Sequence, residues 1–159
     1  MTLGRTPAWG ALMNVTDWGK DPLIHFGQTP EMVARKAAGL IYVATPYTKL
    51  AVDDAGRWSQ VESLVAAERA ARASCRLAAL GLTAISPIVQ AAAMCHASAA
   101  LDPLDVVFWT RWCAPLLSRS SAVVIPDLPG WDQSEGIWHE AREAVGMNKP
   151  VFVYARGEV

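Results

Sequence analysis

Glu140 sits one helical turn past a loop that reads Pro126-Asp127-Leu128-Pro129-Gly130-Trp131-Asp132-Gln133-Ser134-Glu135-Gly136. A Ser-x-Gly element opens that helix, whose free N–H groups and partial positive charge suit a hydroxyl or an anion. A carboxylate held beside them is a candidate nucleophile or base. Asp127 and Asp132 lie in the same loop, and His139 is close in sequence only. Other chemistries lack their motifs. No Gly-x-Gly-x-x-Gly follows the first apolar run, no Gly-x-x-x-x-Gly-Lys-Ser/Thr occurs, and Ser134 is not in Gly-x-Ser-x-Gly. Cys75, Cys95 and Cys113 form no Cys-x-x-Cys pair, so neither a metal nor a cofactor is expected. A carboxylate-based site remains.

The elements that must position it alternate. Leu40-Ile41-Tyr42-Val43-Ala44, Leu82 to Ser86, Ala122 to Ile125 and Val151 to Tyr154 are short apolar runs that suit parallel strands buried on both faces. Helical patterns fill the spaces over 56–80, 88–100, 103–119 and 133–145. In the longest, Trp58, Val61, Leu64, Val65, Ala71, Cys75 and Ala78 approximate a 3.6-residue period and predict the packed face, with Cys75 a small buried side chain. Strand–helix alternation predicts an α/β, three-layer flavodoxin- or Rossmann-like domain with a four- to five-stranded parallel sheet. The strand ends then share one rim. There Thr45-Pro46-Tyr47, Ser86-Pro87 and the Asp127-to-Glu140 segment converge as a pocket. Trp131 is a ligand platform or a packed lid, and Asp132 and Ser134 are ligand contacts or helix caps. Tyr42, on a buried strand, needs a partner for its hydroxyl, and a carboxylate across the sheet edge would supply one. Trp109 and Trp112 read as core or dimer contacts.

Residues 39–159 form this domain. Residues 1–38 read as an N-terminal extension that packs through its tryptophans on the domain or on a neighbouring subunit, with disorder of its first residues as the competing view. Only Pro30 to Lys36 looks helical there. The 159 residues, 52% hydrophobic and 18% charged with a formal net charge of −1, describe a globular chain without the basic clusters of a nucleic-acid surface. No apolar stretch reaches the ~18 residues of a membrane span, and no signal peptide is visible, so the expected location is the cytoplasm.

Three blocks also resemble a known group. Ile41-Tyr42-Val43-Ala44-Thr45-Pro46-Tyr47, Ser86-Pro87-Ile88 and Pro129 to Glu140, with Ala144 and Gly146 following, are similar in order and spacing to the nucleoside 2-deoxyribosyltransferase-like superfamily. Within it the chain most resembles the small family labelled DUF1937, over about residues 40 to 155. The resemblance implies that Glu140 attacks the anomeric carbon of a 2-deoxyribosyl group and that Tyr42 orients it. It also implies that Ser134 and Gly136 meet a sugar hydroxyl or phosphate. The partner would be a small-molecule nucleoside or nucleotide, and the assembly a homo-oligomer. One departure stands out. Where such proteins carry an aspartate before the third strand and another at its start, this chain has Cys113 and Ser121. Asp127 is the nearest substitute for the lost charge. A non-catalytic nucleotide-binding or sensor module is the alternative.

Overall fold

Short runs of β-branched and aromatic residues, too apolar to face water, make the centre of the molecule. A computed structural model describes residues 7–159. In chain order it has α1 (Trp9–Leu12), β1 (Ile24–Gln28), α2 (Pro30–Lys36), β2 (Leu40–Val43), α3 (Gln60–Ala79), β3 (Thr83–Ile85) and α4 (Pro87–Ala97). Then follow α5 (Val106–Arg119), β4 (Ala122–Ile125), a 3₁₀ turn at Trp131–Gln133, α6 (Glu135–Gly146) and β5 (Val151–Tyr154). All pairings are parallel, and the sheet order is β1-β5-β4-β2-β3. The chain is an α/β three-layer protein.

Alternation along the strands divides the core. Tyr42, Val123, Ile125, Val151 and Val153 face α5 and α6, where they pack with Leu117, Ile137, Ala141 and Ala144. Ile41, Val43, Ala122, Val124, Phe152 and Tyr154 face the other way, onto Val33 of α2 and Ala73 and Leu77 of α3. Crossovers toward β3 run over one face and those toward β1 over the other, as right-handed connections require. The order reverses at β2: the chain leaves it for β3 and returns to β4 on its opposite side. The crevice at the carboxyl ends of β2 and β4 is therefore the topological switch point, where ligands bind in open α/β sheets.

Two expectations are corrected. The packed face of α3 is Ser63, Ala66, Ala70, Ala73 and Leu77, not the Val61–Cys75 stripe. Val61 is 67% exposed, Leu64 is 54% exposed, and Cys75 is exposed too. Small residues let α3 lie close on the sheet and on α4, so the bulkier ones turn outward. The segment before residue 39 is also more than an appendage. Ile24–Gln28 pairs with β5 as the fifth strand of the sheet, and α2 supplies Val33 to the core. Thr29 caps α2 by accepting from Met32 N, and Pro30 takes its first turn. Trp9 of α1 does pack on the domain, edge-on to Trp131 with ring centres 5.3 Å apart. Trp18 is almost wholly exposed.

Candidate active site

Tyr42 occupies the middle of β2 and its side chain is fully buried, so its hydroxyl needs a partner within the protein. Glu140 provides one: the Tyr42 hydroxyl donates to Glu140 Oε1 at 2.5 Å. Ser134 sets this register. It is the N-cap of α6, its Oγ accepting from Ile137 N at 3.3 Å, and Ile137, Ala141 and Ala144 seat the helix on the sheet. Glu140, three residues after Ile137, is thereby placed over β2. Gly130, with φ of 81°, makes the left-handed turn that brings the chain from β4 to this helix. Asp132 sits in the 3₁₀ turn before the helix and is not its cap.

Glu140 opens onto a cavity of about 510 Å³. Its walls come from the loop after β2 (Thr45 to Leu50), from Ile88, Ala91 and Cys95 of α4, from α5 including Trp109, Thr110 and Cys113, and from Gly130, Gln133 to Ile137, His139, Glu140 and Glu143. Lys49 Nζ donates to Gln133 O at 3.4 Å and so ties the first of these loops to the last. Apolar side chains make up most of the wall. The ionisable groups on it are Tyr47, Lys49, Glu135, His139, Glu140, Glu143 and the two thiols. Among the described residues no group of three His, Cys, Asp or Glu side chains is arranged to hold a metal ion.

Electrostatics at the floor follow from burial. Glu140 keeps some accessible surface on the cavity side, but protein encloses the rest of it. Burial pushes its carboxyl up to about 7, and the Tyr42 hydrogen bond offsets part of that rise. The Tyr42 phenol is driven upward by burial and then by the Glu140 charge, so it stays protonated and remains a donor. The Cys113 thiol of α5 is within interacting distance of both; burial and the Glu140 charge lift it to about 11. The floor thus holds a carboxyl raised toward the neutral range and hydrogen-bonded by a protonated phenol, with a protonated thiol close by.

Of the residues expected at the site, the structure gathers Glu140, Tyr42, Thr45, Pro46, Tyr47, Ser134 and Gly136 at the cavity or its floor. The Thr45 hydroxyl is buried there without a hydrogen-bond partner in the protein. Asp127 is not brought in. Its Oδ1 accepts from Trp131 Nε1 at 3.1 Å and its Oδ2 from Gly157 N at 2.8 Å, so its charge anchors the C-terminal segment. Trp131 accordingly turns to Trp9 and Asp127, and Asp132 offers its carbonyl to Trp9 Nε1 at 2.8 Å; neither lines the cavity. Ser86 is a buried N-cap and Pro87 the first residue of α4. Their helix reaches the cavity through Ile88 and Ala91 instead. Ser121, at the amino end of β4, donates to the carbonyls of Ala38 and Leu40, far along the sheet from the rim. Trp109, Thr110, Lys49 and Glu143 also line the cavity, and none of them belongs to a recognisable site motif in the sequence. The Trp109–Trp112 spacing on α5 was the available signal for one of them. The rings are 5.7 Å apart, and Trp109 belongs to the wall.

The matched region coincides with this architecture. Comparison with curated proteins found no match, and comparison with solved structures found none. No helix among the described residues is long and apolar enough to cross a membrane. The family described as "Domain of unknown function (DUF1937)" matches residues 39–156, from the start of β2 to just past β5. With the cavity, Tyr42 and Glu140 all inside that span, the chain belongs to the DUF1937 family.

Proposed function

We propose that the protein cleaves or transfers the N-glycosidic bond of a 2-deoxyribosyl nucleoside or nucleotide, with Glu140 as nucleophile. The observation that carries this reading is the Tyr42–Glu140 pair at the floor of a mostly apolar cavity on the switch point. Ionised Glu140 attacks the anomeric carbon, the bond to the base breaks with its electron pair leaving on the base nitrogen, and a glycosyl ester forms. Water or a second base then displaces Glu140. Tyr42 holds one carboxylate oxygen so that the other faces the sugar. Gly136 supports a ligand at the helix start. Nothing in the protein requires glycine there, since an added Cβ would meet only Ser134 Oγ at 3.8 Å. A bare backbone at that point leaves room for a close-approaching sugar.

One observation favours a second reading, a nucleotide-binding or sensor module without turnover. The group beside Glu140 is the Cys113 thiol, near 11, where the resemblance calls for an acid, and acid help to a leaving group is worth ~10²–10⁴ in rate. Incubation with a panel of 2′-deoxynucleosides and their monophosphates, followed by chromatography for free base, separates the two. Base release that disappears in Glu140→Ala supports the enzyme. Thermal stabilisation by a panel member without base release supports the module.

A further inference from the structure

Behind the cavity wall runs a chain of side chains that the chemistry above does not use. Trp58 Nε1 donates to the Tyr47 hydroxyl at 3.0 Å. That hydroxyl is 2.7 Å from Ser63 Oγ, which in turn is 3.1 Å from His96 Nε2. The Trp58 ring leans on the His96 imidazole at 5.4 Å. Ser63 is completely buried on α3, and His96 reaches it from α4. Only Tyr47 of the four lines the cavity.

Donor accounting gives this chain a direction. An indole N–H can only donate, so the Tyr47 oxygen accepts from Trp58 and still has its own hydrogen to place. The phenol is the more acidic hydroxyl and a neutral imidazole nitrogen the strongest acceptor present. The run Tyr47 to Ser63 to His96 therefore matches the best donor with the best acceptor and uses every hydroxyl hydrogen. It requires His96 Nε2 to be the accepting nitrogen, with the ring hydrogen on Nδ1. The reverse run would have Nε2–H donate to Ser63 and Ser63 donate to Tyr47, freeing the phenol hydrogen for the cavity.

We infer that Ser63 and His96 are positioning residues for the cavity: together with Trp58 they fix Tyr47 as a rigid wall that meets a ligand through its ring and not through its O–H. A wall of that kind fits a flat heteroaromatic group, and holding it in place before binding removes an ordering cost. The ligand half of this inference rests on the nucleoside reading, whereas the hydrogen-bond half does not.

Two measurements on the full chain test it. Long-range ¹⁵N NMR at pH 8.5 should find His96 protonated on Nδ1 alone. The Trp58 indole N–H resonance should move in Ser63→Ala, which breaks the hydrogen-bond chain while leaving the Trp58–His96 ring contact in place. An Nε2-protonated His96, or an unmoved indole resonance in Ser63→Ala, overturns the inference. For binding, calorimetric titration with 2′-deoxyadenosine should show Ser63→Ala and His96→Ala weakened by ~5-fold, with His96→Gln close to wild type. Equal affinities across the series overturn the ligand half. If wild type binds no nucleoside, the nucleoside reading fails, and the NMR result alone decides the positioning roles.

Discussion

Glu140→Gln should gain stability relative to wild type as pH rises. Burial holds the folded-state carboxyl at about 7 against an ordinary value of 4.5. Between those values the folded protein binds a proton that the unfolded chain has released, so wild-type stability falls as pH increases through the window. The contribution is fully present below about 4.5 and lost above about 7. Each tenfold change in the dissociation constant is about 1.4 kcal/mol, which makes the total cost of charging Glu140 about 3 kcal/mol. Glutamine accepts the Tyr42 hydrogen bond but never ionises. The difference in unfolding free energy between variant and wild type should therefore shift by about 3 kcal/mol in the variant's favour from pH 4 to pH 8.5. For a chain of this size that is about 6–12 °C in Tm. Urea unfolding at closely spaced pH values measures it directly, and parallel pH curves for the two proteins would refute the buried-carboxylate account.

Other perturbations address the rest of the site. Gly136→Ala should stabilise the fold by ~0.5–1 kcal/mol, because alanine suits a helix better and nothing in the protein obstructs its Cβ. The same change should weaken ligand binding, and unaltered affinity would remove Gly136 from the site. Asp127→Ala should cost ~1–2 kcal/mol in chemical unfolding by removing the hydrogen bonds that Asp127 accepts from the Trp131 and Gly157 N–H groups. Its nucleoside affinity should equal that of wild type; a large loss of affinity without destabilisation would return Asp127 to the chemistry. In alkylation followed by mass spectrometry, exposed Cys75 should react first. Cys113, lifted to about 11, should react slowly at pH 8 and about tenfold faster per pH unit until that value.

What the sequence made legible follows from how directly a residue pattern constrains geometry. The central strands were readable because β2, β4 and β5 are continuous apolar runs buried on both faces. Strand β1 was not. As an edge strand it leaves Phe26 41% exposed, and Gly27, at φ of 67°, interrupts the regular pairing. On α3 the exposed Val61, Leu64 and Val65 outweighed the real seam, which is built of Ser63 and alanines and signals weakly by hydrophobicity. At the site, Tyr42 and Glu140 were legible because a buried phenol demands a partner and the rim supplies one. Asp127 misled because adjacency in a loop says nothing about which way a side chain turns, and its partners, Trp131 and Gly157, come from the helix entry and the chain's far end. Trp109 and Lys49 became wall residues only through the approach of α5 and of the loop after β2.

The central claim is that Glu140 is a nucleophile, and intact-protein mass spectrometry of acid-quenched mixtures with 2′-deoxynucleosides tests it most directly. The account predicts a fraction of the protein heavier by one 2-deoxyribosyl group. Peptide mapping should place that group on Glu140, and Glu140→Gln should lack it. Base release from Glu140→Gln at the wild-type rate, with no adduct on either protein, would contradict it.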